Sequence, residues 1–202
     1  MPRARSHSRA SLVDRALNTF WKTGYHVVSM GDLVRETGVS RGGIYGDYSG
    51  KQELFHACLD RYQETVVTPA FAPVEADDAG VEGIREYLEN LLDLFEATEG
   101  FGIGCLVGNT LTQIETDEVE TRKKLQNHCD RLTNGFRKVL AHENRLKGAL
   151  DPSEIDVLAH YTMISVQGLW SYSRLTDDVA VLRQYSITLI THLQSQFRGL
   201  DG

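Results

Sequence analysis

The chain has 202 residues, 41% hydrophobic and 24% charged, with a formal net charge of −7, an ordinary composition for a globular protein of one or two small domains. No apolar run approaches the roughly 18 residues of a membrane helix, and the basic start MPRARSHSRA has no apolar core after it, so it does not read as a secretory signal and the cytoplasm is the expected compartment. Cys58, Cys105 and Cys129 are odd in number, widely spaced and without a CxxC, which argues against a disulfide framework and against a zinc site; no metal and no cofactor are expected.

Every periodic segment reads as helix. Leu12, Ala16, Leu17, Phe20 and Trp21 recur at helical spacing between Ser8 and Thr23, and Gly24 stands where that helix would end. Ser29, with Asp32 at the third helical position, caps a short helix to about Thr37, Gly38 breaks it, and Ser40 caps again. Ser49 and Gln52 form a capping box for a helix through Leu54, Phe55, Cys58, Leu59 and Tyr62. The stretch TPAFAPVEADDAG, 68–80, has two prolines and an acidic pair and reads as a connection between modules. Helical patterns resume over 80–97, 101–115 and 117–145. Asp151-Pro152-Ser153-Glu154 opens a further helix to about Leu175, and Val179, Leu182, Tyr185, Leu189, Leu193 and Phe197 mark a last one. With no alternating pattern and no repeat, the fold class is all-α: about three short N-terminal helices, a helical connector and five or so longer helices.

Charge is unevenly placed. Residues 1–51 hold Arg3, Arg5, Arg9, Arg15, Lys22, Arg35, Arg41 and Lys51 against Asp14, Asp32, Glu36 and Asp47, a net +4, so the remainder carries −11. A basic head on an acidic body fits a polyanionic partner met by the head alone; scatter in an acidic protein fits as well.

The run SRGGIYGDYSGK, 40–51, tests a nucleotide loop. A phosphate loop needs glycine at position 45, where Tyr45 stands, and Ser or Thr after Lys51, where Gln52 stands; no strand precedes it. GFGIGC, 100–105, lacks the third glycine of a dinucleotide loop and reads as the tight start of a packed helix. There is no HExxH and no His pair at ligand spacing, so no enzyme is expected. What survives is a helix-turn-helix: Ser29–Glu36, the turn Thr37-Gly38-Val39, and Ser40–Tyr48, packed through Met30, Leu33, Val34, Val39 and Ile44.

Gly24-Tyr25, Ser29-Met30, Asp32-Leu33-Val34, Gly38-Val39-Ser40, Gly42, Ile44-Tyr45, Tyr48, Lys51 and Leu54, taken with their spacing, resemble the DNA-binding domain of the TetR (tetracycline repressor) family over about residues 8–60. The segment GCLVGNT, 104–110, resembles one subgroup with a cysteine there. The resemblance implies a homodimeric, ligand-responsive regulator, a repressor released from a palindromic operator by a small molecule or by modification of Cys105. It implies a DNA-binding domain over 1–50 and an effector and dimerisation domain over 51–202, with dimerisation through the last two helices. Double-stranded operator DNA, a second copy of the chain and a small-molecule effector are the partners; no membrane is expected. Gly43 departs from the Thr or Ala of many members, and Asp47 sets an acid beside the DNA face unless Lys51 or Arg41 neutralises it. The alternative class is a helical enzyme or cofactor-binding bundle with an incidental helix-turn-helix.

The residues then take roles. By resemblance, the Tyr45 hydroxyl contacts a phosphate and Tyr48 packs inside. Lys51, a cation in a first helical turn, is read as a phosphate ligand, so that Lys51→Ala would lower the salt dependence of binding by about one unit. Ser29 and Ser40 cap, and Ser29 can also touch a phosphate. Gly42 and Gly43 let the helix lie close to DNA. Arg41 serves base readout or a phosphate. Arg3, Arg5 and Arg9 form an arm expected to be disordered in the free protein. Cys105 is either an electrophile sensor at a helix start or a small buried residue. Phe101, Asn109, Gln113, His128, Phe136, Tyr161, Trp170 and Tyr172 are candidates for an effector pocket, although residues at such helical spacing are more often core or dimer interface. Leu158, Ile164 or Val166, and Leu169, with Leu182, Tyr185, Leu189 and Leu193, are the candidates for the dimer interface.

Overall fold

The computed structural model describes residues 8–97, 102–148, 150–176 and 178–197. All regular structure among them is helical: α1 Arg9–Thr23, α2 Met30–Thr37, α3 Arg41–Asp47, α4 Lys51–Tyr62, a π-helical turn Gln63–Val67, α5 Thr68–Glu75, α6 Val81–Ala97, α7 Leu106–Leu111, α8 Val119–Lys147, α9 Pro152–Tyr172 and α10 Val179–Ser195. Arg3, Arg5 and Phe101 lie outside the described residues.

The chain divides into two compact units, residues 1–67 with 105–125, and 68–104 with 126–202. In the first, α1 crosses α4, and Leu12, Ala16, Phe20, Leu33, Ile44, Leu54 and Phe55 fill its centre. Phe20 meets Phe55 edge-on at 5.1 Å, and Tyr25 stacks on Phe55 at 4.6 Å. Full burial of each such side chain contributes about 1.5–3 kcal/mol, which is what holds helices this short. The 105–125 segment is pinned to the same unit: His56 Nε2 lies 2.9 Å from Thr121 Oγ1, and Lys124 pairs with Asp60 at 2.5 Å. In the second unit α10 packs along α6, and Phe71 of α5 sits edge-on to Tyr87 and Phe136.

Four expectations change. Residues 68–75, read as a connection between modules, are themselves a helix, because Phe71 and Val74 are wholly buried; their burial outweighs the cost of Pro73 inside a helix. The helix expected over 101–115 is only Leu106–Leu111: at Gly102 a Cβ would stand 2.5 Å from the Ser173 carbonyl oxygen, so the glycine serves close packing before the helix, and Cys105 is the N-cap. The Ser49–Gln52 capping box does not form. Gly50 is the N-cap of α4, and the Ser49 N–H and Oγ–H both donate to Glu53 Oε2 at 2.6 Å. Finally, Arg9 is not part of a disordered arm: it is the first residue of α1, capped by Ser8, whose Oγ accepts from the Ser11 N–H at 3.1 Å.

Candidate nucleic-acid interface

The turn between α2 and α3 is built by local hydrogen bonds. Ser29 Oγ accepts from the Asp32 N–H at 3.2 Å, and Asp32 accepts from the Ser29 N–H at 3.0 Å, a closed capping box. The Ser29 hydroxyl, then its N–H, hold the Asp32 pKa down to about 2, so the cap stays charged. Gly38 ends α2 at φ +70°, where a side chain would be strained, and its N–H returns to the Val34 carbonyl at 3.0 Å. Thr37 Oγ1 donates to the Leu33 carbonyl and accepts from the Val39 N–H, while Arg15 reaches from α1 to the Thr37 carbonyl at 3.0 Å. The turn is therefore fixed from inside and from α1.

Ser40 Oγ accepts from the Gly43 N–H at 3.1 Å and starts α3. Ile44 is wholly buried and Tyr48 nearly so; these two hold α3 from behind. Arg41, Gly42, Tyr45 and Gly46 form its exposed side, with Tyr45 50% exposed and Gly43 half-buried. At Gly42 and Gly46 a Cβ would meet no atom within 4 Å. The structure thus brings Arg41, Gly42 and Tyr45 to one outward row, with the capped N-terminus at Ser40 beside them.

Lys51 points elsewhere. Its Nζ donates to the carbonyls of Tyr25 at 2.9 Å and Val28 at 3.0 Å and lies 4.5 Å from the Tyr25 ring centre. Burial lowers its pKa and the Glu118 charge opposes that. The ammonium locks the α1–α2 connection to the start of α4. The cation that meets the end of α3 is Arg9: its guanidinium donates to the Asp47 backbone carbonyl at 2.9 Å and lies over the Tyr48 ring at 4.5 Å. Tyr48, and after it the Asp47 charge, push the Arg9 pKa up. That contact spans 38 residues of sequence.

The effector candidates fall in both units. Cys105, Asn109 and Gln113 belong to the first unit, and His128, Phe136, Tyr161 and Trp170 to the second. Cys105 is buried, and its Sγ takes the Gly108 N–H at 3.4 Å and the Tyr62 hydroxyl at 3.5 Å. Asn109 is buried in α7, and Gln113 is exposed, its side-chain amide lying over Gly24. Phe136 is wholly buried beside Phe71. Tyr161 is exposed and meets the His192 ring at 5.3 Å. His128 and Trp170 are buried, and His128 Nε2 lies 3.3 Å from Gln167 Nε2. Among the described residues no three His, Cys, Asp or Glu gather as a metal ion would require, and no helix is long and apolar enough to cross a membrane.

Of the interface candidates, Leu158, Val166, Leu169, Leu182, Leu189 and Leu193 are buried within the protomer, whereas Tyr185 and Ile164 are exposed. The exposed large apolar residues of α9 are Val157, Tyr161, Ile164 and Tyr172, with Leu175 just beyond its end, and those of α10 are Val181, Tyr185 and Ile187. The sequence held a signal for them: both helices are apolar on most sides, which requires cover on more than one face.

A model of the family "Bacterial regulatory proteins, tetR family" matches residues 12–58. A probable HTH-type transcriptional regulator of Pseudomonas putida, ArpR, is 36% identical over 153 residues, covering 74% of this chain and 71% of the relative. The HTH-type transcriptional repressor ComR of Escherichia coli (strain K12) is 24% identical over 190 residues, 93% of this chain and 90% of that one. Among solved structures, a cysteine mutant of the TetR family regulator CifR, complexed with 26-base-pair operator DNA, has the same fold. The TM-score is 0.77 at 20% identity, over 98% of this chain and 100% of that chain.

Proposed function

The chain belongs to the tetR family of bacterial regulatory proteins, DNA-binding transcription regulators and not enzymes, and on that premise we propose that it is a cytoplasmic homodimeric repressor released from a palindromic operator by a small molecule. The observation that carries this reading is the outward row Arg41, Gly42 and Tyr45 on a helix anchored behind by Ile44 and Tyr48. Such a helix enters a major groove without spending its own packing residues. In this reading Arg41 grips a base edge or a phosphate, Tyr45 donates its hydroxyl to a phosphate, and the N–H groups near Ser29 and Ser40 take others. Gly42 and Gly43 permit close approach, Arg3 and Arg5 follow the backbone or minor groove, and Lys51 supports the site from inside. The DNA-binding domain is placed at 1–50 and the effector and dimerisation domain at 51–202.

The dimer forms through the exposed apolar residues of α9 and α10, including Ile164 and Tyr185, with their symmetry mates. A ligand that binds one spacing of the two recognition helices better than the other shifts the population and releases DNA. A second route is modification of Cys105, whose sulfur is the target of two donors; the Cys105→Ser variant responding to an electrophile as wild type does would remove it. The primary test is a band shift at low salt with DNA flanking the gene. Wild type shifts, and Arg41→Ala combined with Tyr45→Phe weakens binding about tenfold or more with an unchanged melting temperature. Absence of any shift by wild type would overturn this reading of the α3 row.

A further inference from the structure

Two polar atoms on one face of α9 stand out. Gln167 Oε1 and Trp170 Nε1 are buried and have no hydrogen-bond partner. They are three residues apart on a helix, hence neighbours. Trp170 is 7% exposed, so its N–H is not served by bulk solvent. Beside Gln167 stands His128 of α8, 4% exposed, its Nε2 3.3 Å from Gln167 Nε2. Buried polar groups in native proteins are nearly always satisfied, so an orphan donor beside an orphan acceptor is a feature to be explained. The three side chains lie in one compact unit.

We propose that Gln167 and Trp170, with His128 beside Gln167, form the polar end of the effector site and select an uncharged molecule that presents a hydroxyl or carboxamide on an apolar or aromatic body. This rests on the ligand-responsive reading above and names the ligand class. The Trp170 N–H needs an acceptor and Gln167 Oε1 needs a donor. One hydroxyl supplies both, and it satisfies the pair in either orientation of the Gln167 amide. A bare hydrocarbon leaves both atoms unpaired. A carboxylate brings a charge whose nearby cation, Arg131, is already held by Glu75 through two hydrogen bonds, at 2.8 and 2.7 Å, and donates to Thr68 at 3.0 Å. His128 offers no positive charge either, because burial lowers its pKa to about 4 and the Arg131 charge acts in the same direction. An ammonium group finds only one orphan acceptor and a donor directed against it.

The test uses the full-length protein at neutral pH and four probes of like size: phenol, benzamide, toluene and benzoate. Binding is followed by calorimetry and by thermal shift. Phenol and benzamide are expected to bind about tenfold or more tighter than toluene and benzoate, the ratio of sites that match or strand polar groups. In Trp170→Phe and in Gln167→Met, which keep the shape of the site, that preference falls towards one while toluene binding is unchanged. Equal binding of all four probes, tighter binding of benzoate, or no binding of phenol or benzamide at millimolar concentration overturns the assignment. A preference that survives both substitutions does so too. Operator binding is measured separately by band shift. Probe binding with the stated preference but no release of DNA would leave the site assignment standing and refute the release mechanism.

Discussion

Lys51→Met separates a structural from an electrostatic role for this lysine. The ammonium donates to two backbone carbonyls, of Tyr25 at 2.9 Å and Val28 at 3.0 Å, and lies over the Tyr25 ring. A hydrogen bond from a charged donor contributes about 1.5–3 kcal/mol, and a cation over a ring about 0.5–1 kcal/mol. The group is only part-buried, and solvent screening with the cost of desolvation removes roughly half of that total. Methionine keeps the apolar stem and strands both carbonyls, so the net loss is about 2–3 kcal/mol. For a chain of this size each kcal/mol is worth about 2–4 °C, which gives a fall of about 5–10 °C in melting temperature. The assay is thermal unfolding at fixed protein concentration, paired with fluorescence anisotropy on operator DNA across a salt series. An inward Lys51 leaves the slope of log affinity against log salt as in wild type. A melting temperature within about 1 °C of wild type, together with a slope smaller by about 0.9, would refute this reasoning and restore the phosphate contact.

The two faces of the last helices should separate cleanly. Leu182→Ala opens the core of the second unit and lowers stability by about 2–4 kcal/mol, read by urea unfolding. Ile164→Asp, at an exposed apolar position of α9, leaves the far-ultraviolet circular dichroism intact and yields monomer by light scattering. If Ile164→Asp remains dimeric, that surface is not the interface. Acid is expected to destabilise the protein through His128, whose pKa falls from 6.5 to about 4 on folding. The unfolded chain then binds more protons between those values, so stability is full above pH 6.5 and is lost as pH falls towards 4, by up to about 3 kcal/mol. His56, also lowered by burial, adds in the same sense. The His128→Gln variant should show a shallower fall in melting temperature over this range; an identical profile would count against a buried neutral His128.

Local chemistry was the part legible beforehand. Ser29 with Asp32, Gly38, Ser40, and Asp151 with Glu154 occupy the cap and turn positions their types dictate, because those bonds close within three or four residues. What needed the structure depends on elements far apart in sequence. Lys51 reads as a misplaced cation until the Tyr25 and Val28 carbonyls arrive from the α1–α2 connection. Arg9 reads as part of a loose arm until the Asp47 backbone carbonyl and the Tyr48 ring arrive from α3 and its end. Leu182, Leu189 and Leu193 share the period of an interface, but period does not distinguish the face turned to α6 from the face turned outward. Pro69 and Pro73 argue for a loop by propensity alone, and only the burial of Phe71 reverses that.

The empty space beside Gly42 and Gly46 bears on how this surface can change over time. Alanine at either site would favour the helix by about 0.5–1 kcal/mol and, in the free protein, would touch nothing. Packing in the free protein therefore leaves room for a side chain at either site, while Ile44 and Tyr48 are held by burial and Ser40 by its cap. Mutational drift can rewrite the outward letters of α3 one at a time without crossing a stability threshold. Duplicated copies of such a gene can part company in the operators they read before they differ anywhere in their cores.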